Sequence, residues 1–505
     1  MIHADRSCEP GRAARCPGPG DRRGHLRSGS HRTAARPRAH VTVTDTAADA
    51  LARCAEAGAS TVPVDDLAAD PRRMAEFELV VTSPGFRPDA PVLAAAAAAG
   101  VPVWGDIEFT WHVDRSGMYG PPRQWLVVTG TNGKTTTTSM LHSILEAAGF
   151  VSAACGNIGL PVLDALRAQP RAEVLAVELS SFQLHWAPSV RPAAGVVLNI
   201  AEDHLDWHGG MPGYVDAKAQ ALTGAVAVVG LDDPVAASLA DRPRDGRTIG
   251  FRLGEPDPNE LGVVDGVLVD RAFADGAALV PADEISPPGP AGVSDALAAA
   301  ALARAIGVTT DAVAAGLRAH RVGPHRAQVV RTLAEITFVD DSKATNPHAA
   351  RSSIVAHDSV VWIAGGLLKG ARVDDLVAEV GERIAGAVLI GRDAGAIADA
   401  LARHAPEVPV VLVRAGDDGG HEGVDGPEEG ADPALHLDLP AADADTVMAE
   451  AVRTAAALAA PGDVVLLAPA AASLDMFDSY GHRGRSFAAA AAALTAADTG
   501  RGIEG

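Results

Sequence analysis

The sequence predicts an α/β protein of three domains built on parallel sheets. Short β-branched runs alternate with alanine-rich, helix-like intervals; a Gly/Pro segment at Gly117–Gln124 punctuates the chain; and a further series of strand candidates begins near Gly323. With 505 residues and 48% hydrophobic content, the chain can bury several ordinary cores.

In order along the chain, "VTVTD" (Val41–Asp45) and "ELVVTSPGF" (Glu78–Phe86) read as strands followed by turns, giving a first domain over 1–118. A central domain over 119–322 carries strand candidates at Trp125–Thr129, Val174–Leu179 and Gly195–Ile200, each followed by a polar cluster. A third domain over 323–505 has candidates at Ile336–Val339, Val360–Ala364, Val388–Ile390, Val408–Val413 and Val464–Leu467. Parallel sheets place ligands beyond the carboxyl ends of their strands, so those polar clusters are where chemistry is expected. The glycine-rich acidic stretch 415–433 reads as a solvated loop.

Residues 1–40 depart from this pattern, holding nine arginines against three acidic residues. Two readings stay open: a basic tail without fixed structure, or a stretch translated from a wrong start or frame. The second is prompted by Val41–Asp45, which looks like the second strand of a nucleotide-binding unit whose first strand and glycine turn are missing.

A formal net charge of −22 argues against a general nucleic-acid or acidic-membrane binder. Any anionic substrate then needs a locally positive pocket. Cys8, Cys16, Cys54 and Cys155 lack metal-ligand spacing or a disulfide framework, as expected of a reduced cytoplasmic chain. No segment has the length and apolarity of a membrane span.

Of 42 basic residues only four are lysine: Lys134, Lys218, Lys343 and Lys369. A chain this rich in arginine is expected to keep lysine where a compact ammonium or free primary amine is needed, coding bias being the plainer alternative. Lys134 lies in "TGTNGKTTTT" (Thr129–Thr138), between an apolar strand and a helix-like stretch. There Gly130, Thr131, Asn132 and Gly133 form a short glycine turn whose N–H groups, with the N-terminus of helix Thr135–Ala148, make an anion site. Lys134 would reach terminal phosphates, and Thr135 or Thr136 a magnesium ion. Further on, Glu178 ends a strand before Ser180, Phe182 and Gln183, a position where a lone glutamate is usually a cap. Glu202, Asp203, His204, Asp206 and His208 fall within seven positions, a density suited to a divalent metal or simply to an acidic turn.

These segments resemble the Mur ligases. "TGTNGKT", "GNIGLP" (Gly156–Pro161), "ELSSFQL", "LNIAEDHLD", "YxxAK" (Tyr214–Lys218), "GPHR" (Gly323–Arg326), "DDSKATNP" (Asp340–Pro347) and "APAAASLDMF" (Ala468–Phe477) occur in that family's order, from about Val41 to the end of the chain. "ELSSFQL" with "DSKATN" points to the branch that adds D-glutamate to UDP-N-acetylmuramoyl-L-alanine. The resemblance implies a Rossmann-like domain for the UDP substrate, a central P-loop ATPase domain and a Rossmann-like domain for the amino acid. It also implies an acyl-phosphate mechanism, two Mg2+ ions, a cytoplasmic location and a monomer. The rivals are an amide ligase with another acceptor, like folylpolyglutamate synthase, and a chain impaired by its N-terminus.

By the same resemblance Lys134 binds phosphates, Thr135 and Glu178 serve one magnesium, and His204 with Lys218 serves the second, Lys218 as a carbamate. Asn157 is expected to touch the activated substrate, Arg326 and Asp341 the adenine and ribose, and His325 to sit at a hinge. Lys343, Thr345, Lys369, Ser473, Leu474 and Tyr480 are expected to form the D-glutamate pocket, though Ser473 and Tyr480 are also ordinary loop residues. Asp45 and Thr46 match a uracil-contacting position, and Ser83 begins another turn of that pocket. One departure stands out: where the family has H-N-x-x-N, this chain has Ala291-Gly292-Val293-Ser294-Asp295, placing a carboxylate where an amide is expected near adenine.

Overall fold

The computed structural model describes residues 2–4, 39–416, 434–440 and 442–500. The readings of 1–40 and of the acidic stretch 415–433 therefore fall almost wholly outside the described residues. The chain divides into two compact units, Met1–Ala282 with Ser294–His320, and Asp283–Val293 with Arg321–Gly505. The segments 1–118 and 119–322 read from sequence both lie in the first unit, apart from 283–293 and 321–322.

Within the first unit, Ile2–Ala4, Ala39–Val43 and Ser60–Thr61 form one small sheet, and Val80–Thr82 pairs in parallel with Val103–Gly105. A separate core of Leu67, Met74, Phe77, Val80, Leu93 and Ala96 supports this part. The main element is a nine-stranded sheet in which Ser152–Gly156, Val174–Glu178, Gln124–Thr129, Ala194–Val197, Val226–Gly230, Arg247–Phe251 and Glu260–Val264 run parallel in that order. Its central strands are buried along nearly their whole length, which is why they read as continuous apolar runs rather than as alternation. Helix Lys134–Ala147 turns Met140, Leu141, Ile144 and Leu145 inward, the face expected from their helical spacing.

The sheet is wider than the sequence reading, which found three of its strands. One omission had a visible signal: Glu260–Val264 and Val267–Asp270 form a hairpin through Asp265-Gly266, both at positive φ, as a two-residue Asp-Gly turn requires. Val226–Gly230 and Arg247–Phe251 were missed because short apolar runs do not distinguish strand from helix.

The second unit holds a seven-stranded sheet: Gln328–Leu333 pairs antiparallel with Ile336–Asp340, followed in parallel by Val464–Leu467, Val360–Gly365, Ile384–Ile390, Val410–Gly416 and Leu435–Pro440. Cores lie on both its faces. The last strand in sequence sits in the interior of the sheet, so the loops after Asp340, Gly365 and Leu467 emerge side by side.

The expectation of unbridged cysteines is corrected at Cys54, which is disulfide-bonded; Cys155, the other cysteine among the described residues, is a buried free thiol. Spacing reveals frameworks of several bridges, whereas a single bridge leaves no pattern to read. Among the described residues no helix is long and apolar enough to cross a membrane.

Candidate functional site

The phosphate loop lies between strand Gln124–Thr129 and helix Lys134–Ala147, with Gly133 at φ 82 opening the helix. Asn199 fixes it from the neighbouring strand's exit: its Oδ1 accepts from the Asn132 amide at 2.9 Å, and its backbone oxygen accepts from the Thr131 amide at 3.0 Å. The Thr131 hydroxyl lies 3.0 Å from the hydroxyl of buried Tyr214 and accepts from the Ala201 amide at 3.0 Å. The loop is thus held by main-chain, side-chain amide and hydroxyl contacts.

Two lysines meet at one carbonyl. Lys134 Nζ donates to Gly130 O at 2.9 Å and to Thr131 O at 2.7 Å, while Lys218 Nζ donates to Gly130 O at 2.7 Å. Lys218 is 1% exposed and lies over the Tyr214 ring at 4.6 Å, so it is not the solvated amphipathic lysine that its helix alone suggests. Burial, then the neighbouring Lys134 charge, push the Lys218 amine well below its ordinary range. That placement shifts the amine towards its neutral form.

Beside them, Thr135 donates to Glu178 Oε2 at 2.7 Å and Asn157 Nδ2 donates to Glu178 Oε1 at 3.2 Å. Glu178 is therefore no helix cap. Asn157 reaches it because Gly156 takes φ 116 and lets its chain pass against the adjacent strand, where a Cβ would lie 2.1 Å from Glu178 O. Thr136 is buried on the helix's inner side.

The polar run after the next strand, for which composition left a metal cluster and an acidic turn open, packs around an aromatic ring. Among the described residues no three His, Cys, Asp or Glu groups converge so as to hold a metal. His208 instead lies 2.9 Å from the Ser181 hydroxyl, and Phe182 packs between His204, Trp207 and His208 with ring centroids 4.7, 4.7 and 5.6 Å away. Burial, followed by the nearby His185, Lys218 and His204, lowers the His208 pKa to about 4. Trp207 also donates to Gly85 O at 3.2 Å, and Arg87 to Asp206 O at 3.0 Å, joining this loop to the turn that begins at Ser83. Phe182, His204, Trp207 and His208 thus form an aromatic seam at this loop.

Ser180 and Gln183 form a reciprocal capping box on helix Ser181–His185. Asp45 accepts from the Ala47 amide at 2.9 Å and Thr46 is exposed nearby. Asp295 lies at the phosphate loop: it accepts from Thr137 Oγ1 at 3.0 Å, and a Cβ on Gly133 would sit 2.2 Å from its Oδ1.

In the second unit, the loop after Ile336–Asp340 brings Asp341, Lys343 and Thr345 together. Lys343 Nζ sits 3.9 Å over the Tyr480 ring, and its amide donates to His325 O at 3.2 Å. His325 Nδ1 pairs with Asp340 Oδ2 at 2.6 Å, fixing the segment that carries Arg326. Burial pushes the Asp341 carboxyl up to about 6. Lys369, at φ 55, lies on the loop joined to the Ser473 loop by paired Leu367–Ala472 hydrogen bonds; Ser473 is buried and Leu474 is 67% exposed. Sequence reasoning missed Arg483, which is fully buried and donates to Ser342 Oγ and to the carbonyls of Ser342, Gly365 and Ala471. It ties together the three loops of this cluster. Its available signal was an arginine pair, Arg483 and Arg485, opening an otherwise alanine-rich helix.

A Mur ligase middle-domain family model matches residues 128–303. The UDP-N-acetylmuramoylalanine--D-glutamate ligase of Rhodococcus jostii is 71% identical over 464 residues, covering 91% of this chain and 92% of its own. The ligase of the same name from Nocardia farcinica is 64% identical, over 92% of this chain and 93% of its own. Among solved structures, the UDP-N-acetylmuramate-alanine ligase of Thermotoga maritima aligns over 88% of this chain and 92% of its own, with a TM-score of 0.51 at 17% identity, a likeness of fold alone. The chain belongs to the Mur ligase family, on the branch whose curated members are named for D-glutamate ligation.

Proposed function

We propose that this chain is an ATP-dependent amide ligase joining D-glutamate to UDP-N-acetylmuramoyl-L-alanine in peptidoglycan precursor synthesis. The observation that carries the reading is the convergence of Lys134 and Lys218 on Gly130 O, beside the Thr135–Glu178–Asn157 chain, at the carboxyl ends of a parallel sheet. A carboxylate does not react with an amine directly, because its leaving group is too poor. Transfer of the ATP γ-phosphoryl group makes an acyl phosphate; attack by the D-glutamate amine then gives a tetrahedral intermediate that expels phosphate and leaves the amide. Positioning and charge neutralisation supply much of such a rate.

Lys134 and the loop amides hold the phosphates in this scheme, and Asn157 meets the activated carboxyl. The hydroxyl of Thr135 and the carboxylate of Glu178, 2.7 Å apart, are hard oxygen donors that suit Mg2+, which commonly binds one or two protein oxygens together with substrate phosphates. His204 and Lys218 are assigned to a second ion. Lys218 fits a carbamate: the buried amine is held towards its neutral form, which adds CO2, and the adduct presents oxygens where an ammonium presents none. Mg2+ would supply neutralisation of the phosphate charge. Arg326 and Asp341 are assigned to the nucleoside. Lys343, Thr345, Lys369, Ser473, Leu474 and Tyr480 are assigned to D-glutamate, whose side-chain carboxylate the ammonium groups would meet.

The test is phosphate release with ATP, UDP-N-acetylmuramoyl-L-alanine and a panel of amino acids. Turnover with D-glutamate alone is expected. Turnover with a different acceptor only, or no turnover, would overturn the assignment.

A further inference from the structure

The amino-terminal ends of the central strands, opposite the phosphate loop, border a second concavity. It is a cleft of about 640 Å³ whose lining includes Trp111, Arg115, Arg123, Arg191, Asp245 and Arg247. Arg115 and Arg123 share the buried Asp114 carboxylate at 3.0 and 2.8 Å. Arg191 Nη1 is engaged only by the carbonyls of Pro188 and Val190, at 2.8 and 2.9 Å. Arg247 donates to Asn259 Oδ1 at 2.8 Å and to Ala272 O, and stacks over Phe273. Three accessible guanidinium groups, of Arg115, Arg191 and Arg247, thus line the cleft with one carboxylate, Asp245, in a protein of net charge −22. Arg123 itself offers the cleft no free donor: its side chain is buried and donates to Asp114 Oδ1 at 2.8 Å, to Tyr119 O at 3.3 Å and to Leu166 O at 2.9 Å.

From this arrangement we propose that the cleft is a binding site for a small phosphate ester or polyphosphate, separate from the phosphate loop. Guanidinium forks match phosphate oxygens in pairs, and the volume suits a small metabolite. The negative charge of the whole protein disfavours an extended polyanion such as nucleic acid.

Calorimetric titration with inorganic pyrophosphate, without magnesium and at low salt, tests the proposal. Wild-type protein is expected to bind at two sites. The double variant Arg191→Gln/Arg247→Gln, changed at two exposed positions, should weaken one of them at least tenfold, and Lys134→Ala should weaken only the other. Thermal unfolding of both variants checks that they remain folded. A single wild-type site abolished by Lys134→Ala, no binding at all, or unchanged two-site binding by the double variant would each overturn the proposal.

Discussion

Replacing Lys218 by alanine separates catalysis from stability. The side chain is 1% exposed, and its amine makes a 2.7 Å hydrogen bond to Gly130 O. Truncation removes roughly three buried methylenes at about 0.8 kcal/mol each and one hydrogen bond of about 1 kcal/mol, a loss of about 3–4 kcal/mol. Against this, the amine no longer has to be desolvated, a relief of several kcal/mol, on the order of the loss itself. Net stability should therefore change by less than about 2 kcal/mol, whereas turnover should fall roughly 10³-fold, about 4 kcal/mol of barrier, if the residue serves the reacting phosphates. Urea denaturation measures the first quantity and phosphate release at saturating substrates the second. Short carboxylic acids such as formate or acetate should restore part of the rate by supplying the missing oxygens. Full activity in the unsupplemented variant would refute the role, and a folded, inactive variant that no carboxylic acid rescues would refute the carbamate.

Further outcomes follow from other contacts. Asp114 accepts from the Arg123 amide and guanidinium, Trp125 Nε1 and Arg115, so Asp114→Ala should cost about 3–5 kcal/mol by stranding a buried guanidinium. Arg351→Ala, which breaks an exposed pair with Glu379, should cost under about 1 kcal/mol in the same denaturation assay. His208 has a pKa of about 4, below its unfolded value, so the unfolded chain takes up the proton first and stability is lost as pH falls from about 6.5 towards 4. His208→Gln should flatten that part of the stability profile, measured as melting temperature against pH, and parallel profiles would contradict the reading. Tyr480→Leu removes the ring beneath Lys343 and should raise the KM for D-glutamate severalfold, while Tyr480→Phe stays near wild type. Equal effects of the two substitutions would show that the hydroxyl, not the ring face, matters.

Much of the site was legible because its chemistry sits in contiguous motifs. Gly130, Gly133 and Lys134 lie between an apolar strand and an amphipathic helix, and that order alone dictates an anion-binding turn. Lysine scarcity likewise marked Lys218 and Lys343, both of which prove to be engaged rather than solvated. Composition records for Glu202–His208 only which ligand types are near in sequence, whereas the packing of His204 and His208 against Phe182 depends on tertiary structure. Asn199 and Arg483 left almost no local trace, since their partners lie 67 and up to 141 residues away.

By itself the sequence determined the alternating α/β pattern, the phosphate loop and the family, since strand and helix periodicity and turn chemistry are local properties of the chain. Tertiary structure alone decided that Glu178 faces Thr135 and Asn157, that Lys218 is buried against Gly130 O, and that Asp295 abuts the phosphate loop. Those facts depend on strand order and on the close passage of distant backbones, as at Gly156, and burial shifts the amine towards its neutral form.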